Sequence, residues 1–206
     1  YGVADSEVAS SFIGPNWGAD VTNQALTGLV TFLILVSLLM AVYFRSWKMS
    51  VAALLALAHD LILTAGIYAG VGFEVTPAAV IGFLTILAYS LYDTVVVFDK
   101  VRENTLEVEY SETRTFGEMV NLAVNQTLVR SINTSVVAVL PVASILFVGS
   151  LVLGAGTLRD IALALFVGTI VGTYSSIFLA APIYAHLREK EPALAKAAEK
   201  VEANRA

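Results

Sequence analysis

One acid set inside an apolar, membrane-length segment is the residue best placed to do chemistry in this 206-residue chain. Asp93 lies in Ala88-Tyr-Ser-Leu-Tyr-Asp-Thr-Val-Val-Val-Phe-Asp-Lys-Val-Arg-Glu103. An ionised carboxylate near the centre of a membrane helix costs roughly 2.5–3.5 kcal/mol on insertion scales. A carboxyl at such a site either alternates between charged and neutral forms in ion or proton traffic, or is held by hydrogen bonds as a structural acid between helices. Asp60, in the preceding apolar stretch, is a second such acid, and its alternative role is to partner polar groups on a neighbouring helix. His59 adjoins it, but neighbours on a helix point about 100° apart. No third ligand at suitable spacing accompanies the two, so they do not form a metal site. Arg130 opens a later apolar run and is either a basic anchor that snorkels to the interface or an intramembrane partner of Asp93. Tyr174, Ser175 and Ser176 either line a polar path or bond the backbone of their own helix.

The elements that must position these residues follow from composition. The chain is 57% hydrophobic and 14% charged, with a mean hydropathy of +0.78, well outside the usual soluble range. Apolar stretches long enough to cross a bilayer predict five spans, at about 25–44, 50–72, 77–98, 131–152 and 160–185. None alternates apolar and polar residues as a barrel strand would. The expected fold is therefore an all-α integral membrane bundle of five helices. Asp93 falls in the half of its span nearer residue 98. Five spans put 1–24, 73–76 and 153–159 on one side, and 45–49, 99–130 and 186–206 on the other. Of the 12 Lys and Arg residues, all but Arg159 fall on the second side. The excess of basic residues marks that side, including loop 99–130 and the carboxy terminus, as cytoplasmic.

Other features narrow the function. There are no cysteines, which excludes disulfides, thiolate catalysis and Cys-based metal sites. The net charge of −5 argues against a nucleic-acid surface. Neither His-Glu-x-x-His nor Gly-x-Ser-x-Gly is present, so neither hydrolytic chemistry nor a cofactor is expected. Residues 1–24 read as the end of an extracytoplasmic domain approaching the first span, and 186–206 as a cytoplasmic, partly helical tail. Thr115-Phe-Gly-Glu118 fits a capping box that starts an amphipathic helix lying at the interface and feeding into the span at Arg130. Gly66/Gly70 and Gly168/Gly172 each put two glycines on one helix face, and both faces are expected at helix contacts.

Several segments together carry a family resemblance. Tyr89-Ser-Leu-Tyr-Asp-Thr-Val-Val-Val-Phe-Asp-Lys-Val-Arg-Glu-Asn104 resembles the signature of the SecF family of bacterial protein-export membrane subunits. Arg45-Ser-Trp47, His59-Asp60, Asn125-Gln-Thr-Leu-Val-Arg-Ser-Ile-Asn-Thr-Ser135 and Gly168-Thr-Ile-Val-Gly-Thr-Tyr-Ser-Ser-Ile-Phe178 agree in order, so the resemblance covers almost the whole chain. Tyr92 departs from the Asn often found beside the key acid, and Lys100 from the usual Arg. The resemblance implies the five carboxy-terminal spans of a six-span protein in the resistance-nodulation-division superfamily. Its implied partners are SecD, the SecYEG channel, the SecA motor, unfolded preprotein, protons and membrane lipid, in the bacterial cytoplasmic membrane. It also implies that the proton-motive force drives preprotein export, with Asp93, Arg130 and Asp60 as the proton-coupling residues. A half-transporter for lipid or drug, and a translocon scaffold that transports nothing, are the alternatives.

The asymmetry of basic residues yields a direct test. A single cysteine replacing Tyr110 in this Cys-free background should react with a membrane-impermeant maleimide only after the cytoplasmic face is opened. Labelling in intact cells would reverse the topology.

Overall fold

Lipid offers no hydrogen bonds to a backbone, so an apolar run must satisfy its own N–H and C=O groups, and it does so as helix. The computed structural model describes residues 17–106, 113–149 and 156–205. Within them α1 spans Trp17–Phe44, α2 Trp47–Val71, α3 Pro77–Asn104 and α4 Phe116–Ser144, the last running on through a π turn at Ile145–Gly149. Next, α5 (Gly156–Ser175) continues through a second π turn, Ser176–Ala180, into α6 (Ala181–Glu189), and α7 covers Pro192–Arg205. Five of these runs are long and apolar enough to cross a membrane: Gly18–Phe44, Trp47–Val71, Pro77–Asn104, Phe116–Gly149 and Leu158–Glu189. The protein is thus an all-helical bundle of five candidate spans. Most of the expected extracytoplasmic segment (1–16), part of loop 99–130 (107–112) and the connection at 150–155 lie outside the described residues.

Local chemistry sets the helix ends. Gly72 takes φ 79°, a left-handed conformation that suits glycine, and its N–H closes α2 on the Tyr68 carbonyl at 3.0 Å. Thr76 caps α3 by accepting from the Ala79 N–H at 3.2 Å, with Pro77 in the first turn, where its missing N–H costs nothing. The expected capping box at α4 is present in both directions: Thr115 N–H donates to Glu118 at 2.9 Å, and Glu118 N–H donates to Thr115 Oγ1. The amphipathic segment after it is not a separate interfacial helix. It is the first half of α4, and its buried residues Phe116, Val120, Ala123, Thr127, Ser131 and Ser135 form one continuous stripe. That register carries a single helix face from the polar end into the bundle, with no break at Arg130.

Central in the bundle, α3 packs on α1, α2, α4 and most extensively α5. Its tightest seam is made by small residues. A Cβ added at Gly168 would sit 2.5 Å from Ile86 Cγ1, and one at Gly172 would sit 3.0 Å from Ser90 Cβ. Gly82 returns the contact, 2.5 Å from the Ala164 Cβ by the same construction. The Gly168/Gly172 face therefore lies at a helix contact, as expected. The Gly66/Gly70 face does not: a Cβ at either glycine meets nothing within 4 Å, because that side of α2 faces outward. Glycine spacing alone cannot distinguish a packed face from an open one.

The ends are pinned differently. At one, Phe98 lies edge-on to Phe44, with Tyr184 beside it and Phe116 against Tyr184, while Lys48 pairs with Glu191 at 2.7 Å. At the other, Thr76 Oγ1 donates to Asp160 at 2.9 Å above the Tyr68–Phe83 ring contact. Gly168→Ala should destabilise the folded protein by about 1–3 kcal/mol through overpacking. Gly66→Ala should be neutral or slightly stabilising, by up to about 1 kcal/mol from helix propensity. Thermal unfolding of both variants in one lipid environment measures the contrast, and equal effects would mean the seam is not tight.

Candidate functional site

Three residue types converge where α2, α3, α4 and α5 meet: two aspartates, a set of hydroxyls and glycine. Asp93 is only 3% exposed. Ser131, on α4, donates to its Oδ1 at 2.8 Å, while Oδ2 is buried with no hydrogen-bond partner among the described residues. One turn earlier on α3, Ser90 donates to Oδ2 of the buried Asp60 on α2. The other oxygen of Asp60 lies 3.2 Å from His59 Nδ1, so the histidine bends back to its neighbour despite the angle between adjacent helical positions. Ser90 and Asp93 are three residues apart, a rise of about 4.5 Å. A single turn of α3 therefore joins the two acid positions.

A ring of hydroxyls surrounds that turn. Thr94 Oγ1 donates to the Ser90 carbonyl at 3.0 Å and lies 3.1 Å from Ser176 Oγ. Ser176 sits in the π turn of the last span and bonds the Gly172 carbonyl at 2.8 Å. A π turn widens the helix locally and often marks a functional position. Here it brings Ser176 to α3. On the far side, Tyr89 donates to Ser135 Oγ at 3.2 Å, and Ser135 lies 2.5 Å from Thr173 Oγ1. Hydroxyls both donate and accept, so such a ring can serve either protonation state of a neighbouring carboxyl.

Asp93 and Asp60 thus share one buried polar layer. Arg130, the residue before Ser131, is exposed and makes no ion pair with Asp93. Ser131 occupies the direct contact. Ser175 bonds its own helix at Gly172, and Tyr174 faces outward, 56% exposed, against Phe178, so of that trio only its neighbour Ser176 reaches α3. Tyr92 is 55% exposed on the outer side of α3, and its departure from Asn leaves the surroundings of Asp93 to the serines and Thr94. Sequence reasoning gave no role to Ser131, Ser90, Thr94 or Ser135. The available signal was the i, i+4 pair Ser131/Ser135, which begins directly after Arg130. Among the described residues no three His, Asp or Glu side chains gather as metal ligands would.

Residues 2–190 match the family described as protein export membrane protein SecD/SecF, C-terminal. The chain is 52% identical over 204 residues to the protein translocase subunit SecF of Streptomyces coelicolor, covering 99% of this chain and 54% of that one. It is 51% identical over 183 residues to SecF of Mycobacterium tuberculosis, covering 89% and 41%. The crystal structure of SecDF from Thermus thermophilus, described as a translocon-associated membrane protein, superposes with a TM-score of 0.74 at 38% identity. That match covers 86% of this chain and 23% of the other. The chain therefore spans about half, or less, of the length of these relatives.

The geometry makes Ser131 the donor on which the charged form of Asp93 depends. At a pH where Asp93 is ionised, Ser131→Ala should cost about 1.5–3 kcal/mol, the range for a hydrogen bond to a charged group. In an Asp93→Asn background the cost should shrink, because the charge has gone. A double-mutant cycle by thermal unfolding measures the coupling, and additive losses would mean Ser131 acts on the helix rather than on the carboxylate.

Proposed function

The chain belongs to the SecD/SecF family of protein-export membrane proteins, and from that premise we propose that it is the membrane part of a SecF subunit coupling proton movement to preprotein export. The observation that carries the coupling is Asp93: a carboxyl buried within a candidate span, one oxygen held by a hydroxyl from the next helix and the other without a partner among the described residues. Such a group can be held in either protonation state, because the hydroxyls around it both donate and accept. Ionised, it draws Ser131 and the charge of Arg130 towards α3. Protonated, it loses that pull, and its new O–H can donate to a different acceptor in the hydroxyl ring. The favoured packing of α3 against α4 then changes with protonation state. One elementary charge crossing the membrane is worth about 2.3 kcal/mol per 100 mV, enough to bias a bundle with two arrangements of similar energy.

In this reading Asp60 is a second proton-binding position, linked to the first through Ser90. Arg130 tunes Asp93 from the end of the bundle that carries most of the Lys and Arg, and that end faces the cytoplasm. SecD supplies the pseudo-symmetric other half. SecYEG and SecA supply the channel and the motor, and unfolded preprotein is the load. Family membership and the fused SecDF relative support the partnership with SecD. The Asp93 site supports the use of protons.

The test is preprotein export into inverted vesicles carrying full-length protein with SecD, with and without a proton gradient. Wild type should gain from the gradient. Asp93→Asn keeps size and hydrogen bonding but cannot cycle a proton, so it should insert normally and lose that gain. Arg130→Lys should impair less than Arg130→Ala, since charge at a distance matters here more than a planar fork. Full retention of the gain by Asp93→Asn would transfer the role to a scaffold that moves no protons.

A further inference from the structure

Away from the acids, at the end of the bundle that carries Lys48 and Arg188, the α1–α2 corner closes over a pocket of about 480 Å³. Its walls carry four cations, Arg45, Lys48, Arg102 and Arg188, and one acid, Glu191. Glu191 is shared by Lys48 at 2.7 Å and Arg188 at 3.2 Å. Burial alone would raise the pKa of Glu191, yet the hydrogen bonds from Lys48 and Arg188 outweigh it and hold the carboxyl below its ordinary value. One carboxylate therefore answers two of the cations. Among the described residues Arg102 hydrogen-bonds only a backbone carbonyl, that of Tyr43, at 3.3 Å. Arg45 holds a left-handed backbone, φ 51°, costly for a residue with a Cβ. The corner keeps this strained arginine at the pocket wall.

The surroundings select the kind of anion. Trp47 and Leu106 line the pocket and are 66% and 72% exposed, and Tyr43 beside it is 53% exposed. Aromatic side chains at helix ends mark the level of lipid headgroups. Within a turn or two along the same two helices, an almost wholly apolar groove of about 700 Å³ runs between α1 and α2, walled by Leu38, Ala41, Leu54 and Ala58. Both volumes lie within the range of about 300–1,000 Å³ typical of small-molecule sites. A soluble anion has no use for the groove, and a neutral lipid has none for the cations. We propose that this corner binds one anionic phospholipid, its phosphate among Arg45, Arg102 and Lys48 and an acyl chain in the α1–α2 groove. Basic pockets between membrane helices are suited to such headgroups.

The test uses the full-length protein in detergent, with lipid retention read by native mass spectrometry. Phosphatidylglycerol, phosphatidylcholine of the same chains and inorganic phosphate are the probes. Wild type should retain one phosphatidylglycerol in preference to phosphatidylcholine. The double variant R45Q/R102Q should lose affinity by about fivefold per charge removed. K196Q/K200Q, which removes two exposed charges from α7, should behave as wild type. Glu191→Gln should strengthen retention by freeing Lys48 and Arg188. Ala58→Trp, which fills the groove, should weaken it with every cation in place. Unchanged retention in R45Q/R102Q would overturn the site. Displacement of the lipid by inorganic phosphate, together with no effect of Ala58→Trp, would make the pocket a free-anion site and overturn the lipid assignment.

Discussion

Burying a carboxylate between membrane helices is only tolerable if neighbouring helices bring donors to it, and short donors require close helices. Serine and threonine hydroxyls reach only a few ångströms from their own backbone, so Ser131 can serve Asp93, and Ser90 can serve Asp60, only where α2, α3 and α4 nearly touch. The glycine seam follows from the same demand. Gly168 and Gly172 let α5 lie directly on Ile86 and Ser90, and that fixes the turn of α3 that carries both polar positions. A bulkier seam would push α5 outward and take Ser176 away from Thr94.

The two halves of the bundle face different requirements. Around Ser90–Thr94 the packing is polar and close, and Thr94, Ser135 and Ser176 each make at least two hydroxyl contacts. Towards α6 and α7 it is aromatic, with Phe44–Phe98 and Phe116–Tyr184 packed edge to face, Phe98 tilted against Tyr184, and Arg188 over the Phe116 ring at 5.2 Å. Aromatic clusters have large contact areas and resist distortion, whereas hydroxyl networks exchange partners at little cost. The arrangement puts the rearrangeable layer within the candidate spans and a firmer collar at one end.

Much of this was legible in the sequence because the bilayer imposes simple rules. Five uncharged or nearly uncharged runs had to be helices, and the intramembrane acids stood out against them. Thr115 and Glu118 announced the start of α4, since a capping box is a local device that needs no tertiary context. The details that depend on rotation about helix axes were not legible. Whether Gly66 or Gly168 faces a neighbour, whether Ser131 or Arg130 meets Asp93, and whether Tyr174 turns in or out are all decided by azimuth. Apolar helices in lipid carry a weak azimuthal signal, because lipid and protein interior are equally apolar. The continuity of α4 through Arg130 was hidden for a related reason: a change from polar to apolar composition looks like a boundary even where the backbone has none.

That continuity turns α4 into a lever. Ser131 grips Asp93, and Glu118, thirteen residues or about 20 Å away along the axis, is clamped by the guanidinium of Arg205 at 2.7 and 2.9 Å. Between these points the helix has no proline, while Pro141, beyond Ser131, removes a backbone bond on the other arm. The stiff arm and the weakened arm meet near the carboxylate. A tilt of about 5° about Ser131 would carry Glu118, and the carboxy-terminal helix attached to it, through about 1.7 Å. A small rotation at the carboxylate would in this way be geared up into a displacement at the carboxy-terminal helix.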